Sequence, residues 1–188
     1  MRLGIDVRKL GDGGIGEYIR ETLIAAVRLC PELEVVAFGA AEQRELLPIE
    51  RVEWVATSAG KYSLAEHFTL PAAIRGRRLD LFHAPHYVLP LGLSLPAVVT
   101  VHDTIHLSLP RTRFHPLYAR FMMGSACRRA RKVITVSETT ARDLESRLGA
   151  PRAKIEVIWN GVAPRFRRLP EPEIAAALER LGVRRPYV

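Results

Sequence analysis

Apolar and polar residues alternate through Arg2–Val7 (RLGIDV), the pattern of a strand with a core to one side. A glycine-rich turn follows at Gly11–Gly16. Ile15, Ile19, Leu23, Ala26 and Val27 then fall on one face of a helix predicted from Ile15 to Leu29. Cys30-Pro31 ends it, because a residue before proline avoids the α region. Leu33–Phe38 and Arg51–Val55 read as strands. Tyr62–Arg75 reads as a helix that Pro71 should kink or divide. The apolar runs Asp80–His83 and Ala97–Val101 have the character of buried parallel strands. Phe114–Ala130 is predicted helical and Lys132–Val136 a strand. Ser137 is placed to cap a helix that runs to Leu148 and stops at Gly149. Ile155–Trp159 is a further strand leading into Asn160-Gly161. A last helix begins at Pro172, a favoured first-turn position, and ends near Gly182.

Strand and helix in alternation define an α/β protein: a doubly wound, mostly parallel sheet with helices on both faces. Ligands of such sheets bind at the carboxyl ends of the strands. The predicted strand ends carry Arg8 and the glycine loop, His83, His102-Asp103, Ser137-Glu138 and Asn160-Gly161. Glycines, histidines and small polar groups therefore gather on one rim.

Composition narrows the class. The chain has 188 residues, 48% hydrophobic and 26% charged, which excludes disordered, collagen-like and coiled-coil proteins. Two well-separated cysteines, Cys30 and Cys127, argue against a disulfide framework and for a reducing cytoplasm. No signal-peptide pattern opens the chain, and the longest uncharged stretch, Tyr87–Val101, is broken by Pro90, Gly92 and Pro96. Charge is uneven. Residues 1–66 hold 8 Lys and Arg against 11 Asp and Glu, while the rest carries the excess behind a net charge of +8. Arg111, Arg113, Arg120, Arg128, Arg129, Arg131 and Lys132 follow one another without an acid. Such a run suits an anionic partner or a solvated face. The anion could be phosphate groups or acidic lipid; no nucleic-acid motif accompanies the run, so nucleic acid is not the expected partner. Within the run, Phe114, Leu117, Tyr118, Phe121 and Met122 fall at helical spacing, which favours a stripe facing the core.

Gly11, Gly13 and Gly16 fit G-x-G-x-x-G between a strand and a helix, where glycines let backbone N–H groups approach an anion. The turn is longer than the nicotinamide version, and the second strand ends in Phe38-Gly39-Ala40 with no acid for a ribose. His83, His86, His102 and His106 show H-x-x-H and H-x-x-x-H spacings, yet no convergence on a metal is expected. His83 reads as a core or supporting histidine. His102 stands at a strand end beside Asp103, where a ligand belongs.

Five segments come in a telling order: Gly13–Tyr18 (GGIGEY), Asp80–Pro85 (DLFHAP), Val99–Asp103 (VTVHD), Ile134–Glu138 (ITVSE) and Val157–Val162 (VIWNGV). Together they resemble the amino-terminal domain of retaining glycosyltransferases of the GT-B fold, glycosyltransferase family 4. The resemblance implies a Rossmann-like acceptor-side domain at 1–168, with 169–188 as a linker helix and the start of a donor domain that this sequence does not contain. It implies a nucleotide sugar as co-substrate, no metal or other cofactor, and a glycan or lipid-linked acceptor of the cell envelope. The transferred hexose would be mannose in the leading case. Placement is cytoplasmic, with peripheral contact at the inner face of the membrane. By motif, His102 and Asp103 would be the catalytic pair, while Gly13, Gly14, Gly16, Tyr18, His83, Ser137 and Asn160 would line the substrate. The family's Glu-x7-Glu donor motif has no counterpart in a strand-loop-helix setting here. The rival expectation is a non-catalytic module of the same fold that binds a glycan or an anionic headgroup, or a subunit of a split transferase.

Overall fold

A computed structural model describes residues 1–57, 65–108 and 115–186. Its elements are β1 (Arg2–Asp6), α1 (Gly13–Leu29), β2 (Glu34–Gly39), β3 (Val52–Ala56), α2 (Glu66–Ile74), β4 (Leu81–Ala84) and β5 (Ala97–Val101). There follow α3 (Ile105–Ser108), α4 (His115–Arg129), β6 (Lys132–Thr135), α5 (Glu138–Leu148), β7 (Ile155–Val157) and α6 (Glu171–Leu181). The seven strands form one parallel sheet in the order β3-β2-β1-β4-β5-β6-β7. The order reverses between β1 and β4, which makes their carboxyl ends the switch point where such sheets bind ligands.

Each strand divides its side chains between two cores. Ile5, Val7, Val35 and Ala37 pack with Ile19 and Leu23 of α1. Val36, Phe38, Phe82, Val99, Val101 and Val133 pack on the opposite face with Leu70, Met123, Ala126 and Leu144. Helices therefore cover both faces. Caps follow their expected chemistry in α5, where Ser137 Oγ accepts from Thr140 N–H at 3.1 Å and Gly149 takes φ 64°.

Several expectations need correction. α2 is not divided at Pro71, which lies inside it; a proline there removes one hydrogen bond, and the short helix runs on. Tyr62–Leu64, the predicted start of that helix, lies outside the described residues. β7 is shorter than predicted and leaves Ile158 and Trp159 exposed beyond its end. α3 and the 3-10 turns Ala41–Leu46 and Arg152–Lys154 had no periodic signal, because such short pieces carry too few residues to show one.

The predicted stripe in α4 divides: Tyr118 and Met122 pack on the core as expected, Leu117 and Phe121 do not, and Phe114, like Arg111 and Arg113, lies outside the described residues. Ala119, Met122, Met123, Ala126, Cys127 and Ala130 are the buried set, whereas Leu117 is 69% and Phe121 57% exposed. α4 packs on β5 and α5 through small side chains and flexible methionines, and this turns its larger apolar residues outward.

The link from β4 to β5 contains no helix. Residues 85–90 of this crossover are buried, so its backbone polar groups need protein partners. Three prolines, Pro85, Pro90 and Pro96, remove donors from the problem. Several of the rest are met by side chains. Val88 N–H donates to His86 Nδ1 at 3.2 Å, His102 Nε2 bonds the Pro85 carbonyl at 3.0 Å, and the Arg129 guanidinium bonds the carbonyls of Leu89, Pro90 and Leu91 at 3.3, 2.6 and 3.1 Å. Arg129, itself exposed, thus clamps the crossover from outside, although it belongs to the acid-free basic run.

Candidate functional site

At the switch point β1 ends in Asp6, a carboxylate with 0% exposure. An acid there is costly unless paired. Arg8 reaches back to it, with Nη2 2.7 Å from Oδ2 and Nε 2.9 Å from Oδ1, and also meets Glu66 of α2 at 2.9 Å. His86 completes the group, its Nε2 3.0 Å from Asp6 Oδ2. Because His86 Nδ1 accepts from Val88 N–H, the proton sits on Nε2 and is donated to Asp6. Burial alone would raise the Asp6 carboxyl, but the His86 and Arg8 hydrogen bonds outweigh it and hold it well below the usual carboxylate range. Sequence reasoning placed Arg8 on the rim and missed this network. The signal was an acid at the buried end of a central strand.

A second group lies on the α1 side of β4 and β5. His83 is buried, and its Nε2 is 2.8 Å from Thr100 Oγ1. The same hydroxyl is 3.1 Å from the Tyr18 hydroxyl on α1. The Tyr18 ring stands edge-on to His102, with centroids 4.8 Å apart. His83 and His86 are therefore turned to different partners, Thr100 and Asp6. Among the described residues, no cluster of three or more His, Cys, Asp or Glu side chains is arranged to hold a metal.

The glycine turn enters α1 with its donors open. Asp12 stands at the N-cap without bonding the first turn through its side chain, and it pairs instead with Lys9 at 3.3 Å. Gly13 has φ 38°. Gly16 admits no side chain, since a Cβ there would lie 2.2 Å from the Leu10 carbonyl oxygen. Gly14 is different: a Cβ would meet nothing within 4 Å. Gly14 also lies one turn before Tyr18, whose ring stands against His102.

The remaining predicted residues divide. Asp103 Oδ1 accepts from Ile105 N–H at 3.0 Å and so starts α3. Ser137, at the end of β6, adjoins the site through Thr140, whose hydroxyl bonds the His102 carbonyl at 3.2 Å. Asn160 is exposed beyond β7, two strands from His102, so the sheet does not bring it to the switch point.

Burial pushes the His83 imidazole down to about 4, with His102 and His86 acting the same way and Asp6 opposing them. The sign of the pH effect follows. Between the ordinary value of 6.5 and about 4, the unfolded chain binds a proton that the folded chain refuses. Stability should therefore fall as pH drops through that window, by about 3 kcal/mol from His83 at full titration. His102 and His67, lowered chiefly by burial, add in the same direction. Urea unfolding from pH 7 to 4.5 measures this, and His83→Gln should flatten the profile.

A parallel sheet wound as 3-2-1-4-5-6-7, with a glycine turn and a histidine rim at its switch point, has the architecture of the Rossmann-like half of a GT-B fold. Residues 12–166 match Glycosyltransferase Family 4, and the chain belongs to that family. Among solved structures, it is similar to Anabaena Alr3699/HepE in complex with UDP-glucose, with a TM-score of 0.70 and 19% identity over 97% of this chain and 50% of that one. It is also similar to sucrose-phosphate synthase (tll1590) from Thermosynechococcus elongatus, with a TM-score of 0.66 and 13% identity over 98% and 53%. Acinetobacter baumannii MurG gives a TM-score of 0.54 and 14% identity over 88% and 46%. The chain spans about half the length of these structures. No curated protein sequence matches it.

Proposed function

We propose that residues 1–168 form the acceptor-side domain of a metal-independent, retaining glycosyltransferase that moves a hexose, with mannose the leading case, from a nucleotide sugar to a cell-envelope glycan or lipid-linked acceptor. Residues 169–188, which include α6, would lead toward a donor domain. The observation that carries this reading is the contact of His102 with Tyr18, which lies one turn inside the uncapped start of α1. Orphan N–H groups at a helix start favour an anion such as a diphosphate. On this reading His102 and Asp103 would bond the sugar beside it. The UDP-glucose complex of Anabaena HepE supports a nucleotide sugar as the donor class.

Gly14→Ala tests the reading. The added methyl group meets no protein atom, so the melting temperature should stay within about 2 °C of wild type. Glycosyl transfer, screened with a panel of nucleotide sugars, should nevertheless fall by roughly tenfold or more, because the methyl group obstructs close approach of a ligand to the backbone. Normal transfer by Gly14→Ala would remove the glycine turn from the site.

An anionic membrane surface is favoured by the outward turn of α4. Leu117 and Phe121 are exposed, and Leu107, Pro116, Leu117, Arg120 and Arg147 line one shallow depression. Arg120 is exposed there, Arg128 and Arg131 are exposed at and just beyond the far end of α4, and Lys132 is paired with Glu156. No helix among the described residues is long and apolar enough to cross a membrane. Near an anionic leaflet each basic side chain contributes about 1 kcal/mol, and apolar side chains add by insertion. Flotation with anionic vesicles should exceed that with neutral vesicles and weaken with salt. Arg120→Glu/Arg128→Glu should abolish the difference. Equal recovery on both vesicle types would leave α4 a solvated face and favour a soluble glycan acceptor.

A further inference from the structure

His102 is defined at the level of single nitrogen atoms. Its Nε2 is 3.0 Å from the Pro85 carbonyl oxygen, which can only accept, so Nε2 carries a proton. Moving that proton to Nδ1 would set two lone pairs against each other. Flipping the ring would replace the N–H with a C–H and lose the bond. Among the described residues no protein group bonds Nδ1. The ring cannot tilt freely either, since Tyr18 stands edge-on against it at an interplanar angle of 86°. Tyr18 is itself anchored. Its hydroxyl bonds Thr100 Oγ1, which also bonds His83 Nε2, and a threonine hydroxyl can donate to one of these partners while accepting from the other.

We propose that Tyr18 is a positioning residue: tied to Thr100, it holds the His102 ring so that Nε2–H stays on the Pro85 carbonyl and the lone pair of Nδ1 is presented to the ligand. His102 then accepts a hydrogen bond from a sugar hydroxyl and does not donate one to a phosphate oxygen. This assigns Tyr18 a place behind the site and not against the substrate, and it rests on the glycosyl-transfer reading for the nature of the ligand.

The electrostatic surroundings agree. Burial disfavours a protonated His102; His86 from the crossover and Lys9 from the glycine turn act the same way, against the Pro85 carbonyl and Asp103. His83 on β4, kept neutral by burial, adds no positive charge beneath it. At neutral pH the ring is uncharged and Nδ1 is an acceptor. A phosphate oxygen has no proton to offer it, whereas every sugar hydroxyl does. As pH falls below the value of His102, Nδ1 gains a proton and the preference inverts.

Imidazole nitrogen NMR of the 188-residue chain at pH 7.5 tests this without any glycosyl transfer, so its outcome is independent of the function proposed above. His102→Gln identifies the resonances. The wild type is expected to show a single neutral tautomer, protonated at Nε2 and bare at Nδ1. Tyr18→Leu, with its melting temperature recorded, should move both nitrogens toward the averaged shifts of a tautomer mixture. Tyr18→Phe keeps the ring and drops the tie to Thr100; it should speed solvent exchange of the Nε2 proton about fivefold, the equivalent of one ordinary hydrogen bond. A charged or Nδ1-protonated His102 in the wild type overturns the proposal. So does a folded Tyr18→Leu with wild-type nitrogen shifts. If Tyr18→Leu does not fold, Tyr18→Phe decides: unchanged proton exchange overturns the role given to the hydroxyl.

Discussion

His102→Ala is expected to lower glycosyl transfer by ~100-fold while shifting stability by only about 1 kcal/mol. The two parts have separate causes. His102 follows the last residue of β5 and is partly exposed, so its ring fills little of either core. What the fold loses is one bond from Nε2 to the Pro85 carbonyl and the edge contact with Tyr18. On the proposed reading, what glycosyl transfer would lose is a fixed acceptor that holds a sugar hydroxyl in place. Groups prepositioned in this way act mainly on the transition state, so the loss should appear in kcat and in kcat/KM alike. Turnover kinetics and thermal melts on the same preparations check it. A variant with normal turnover and a collapsed melting temperature would show His102 to be a clamp on the crossover and nothing more.

Asp6→Asn should cost about 3 kcal/mol, the scale for breaking a buried ion pair from one side. Shape hardly changes; chemistry does. The carboxylate accepts at Oδ1 from the Arg8 backbone N–H and Nε, and at Oδ2 from Arg8 Nη2 and His86 Nε2. An amide replaces one of those oxygens with a donor, which then faces N–H groups whichever way it turns. Arg8 keeps Glu66 at 2.9 Å, and that places the expected loss at the lower end of the range. Urea midpoints of the two proteins measure the difference. A loss below about 1 kcal/mol would mean that Glu66 alone satisfies Arg8 and that Asp6 is dispensable to the switch point.

Local pattern determined most of the architecture. Alternation in Arg2–Val7, the β-branched run Ala97–Val101, Ser137 before α5 and Gly149 and Gly182 after α5 and α6 all act within a few residues, so each was legible from its neighbours. The strand-end rule then pointed to the glycine turn, His83, His102 and Ser137, which the sheet does bring to adjacent strand ends and the helix facing them. It also pointed to Asn160, which sits two strands away. Strand order is a long-range property, and nothing within residues 155–161 encodes how far β7 lies from β5. The same limit governed the histidines. Spacing made His83 and His86 a candidate pair, but one faces Thr100 and the other Asp6, because β4 ends between them and its last residues alternate in direction. Helical spacing found the apolar positions of α4 without their direction. Which side of an amphipathic helix is buried depends on the partner surface, and here β5 and α5 accept alanines and methionines and leave Leu117 and Phe121 outside. Arg129 shows the distinction most clearly. In the sequence it is one basic residue among seven, and only the helix-free crossover of β4 to β5, with carbonyls that had to find donors, makes it a structural clamp, exposed though it is.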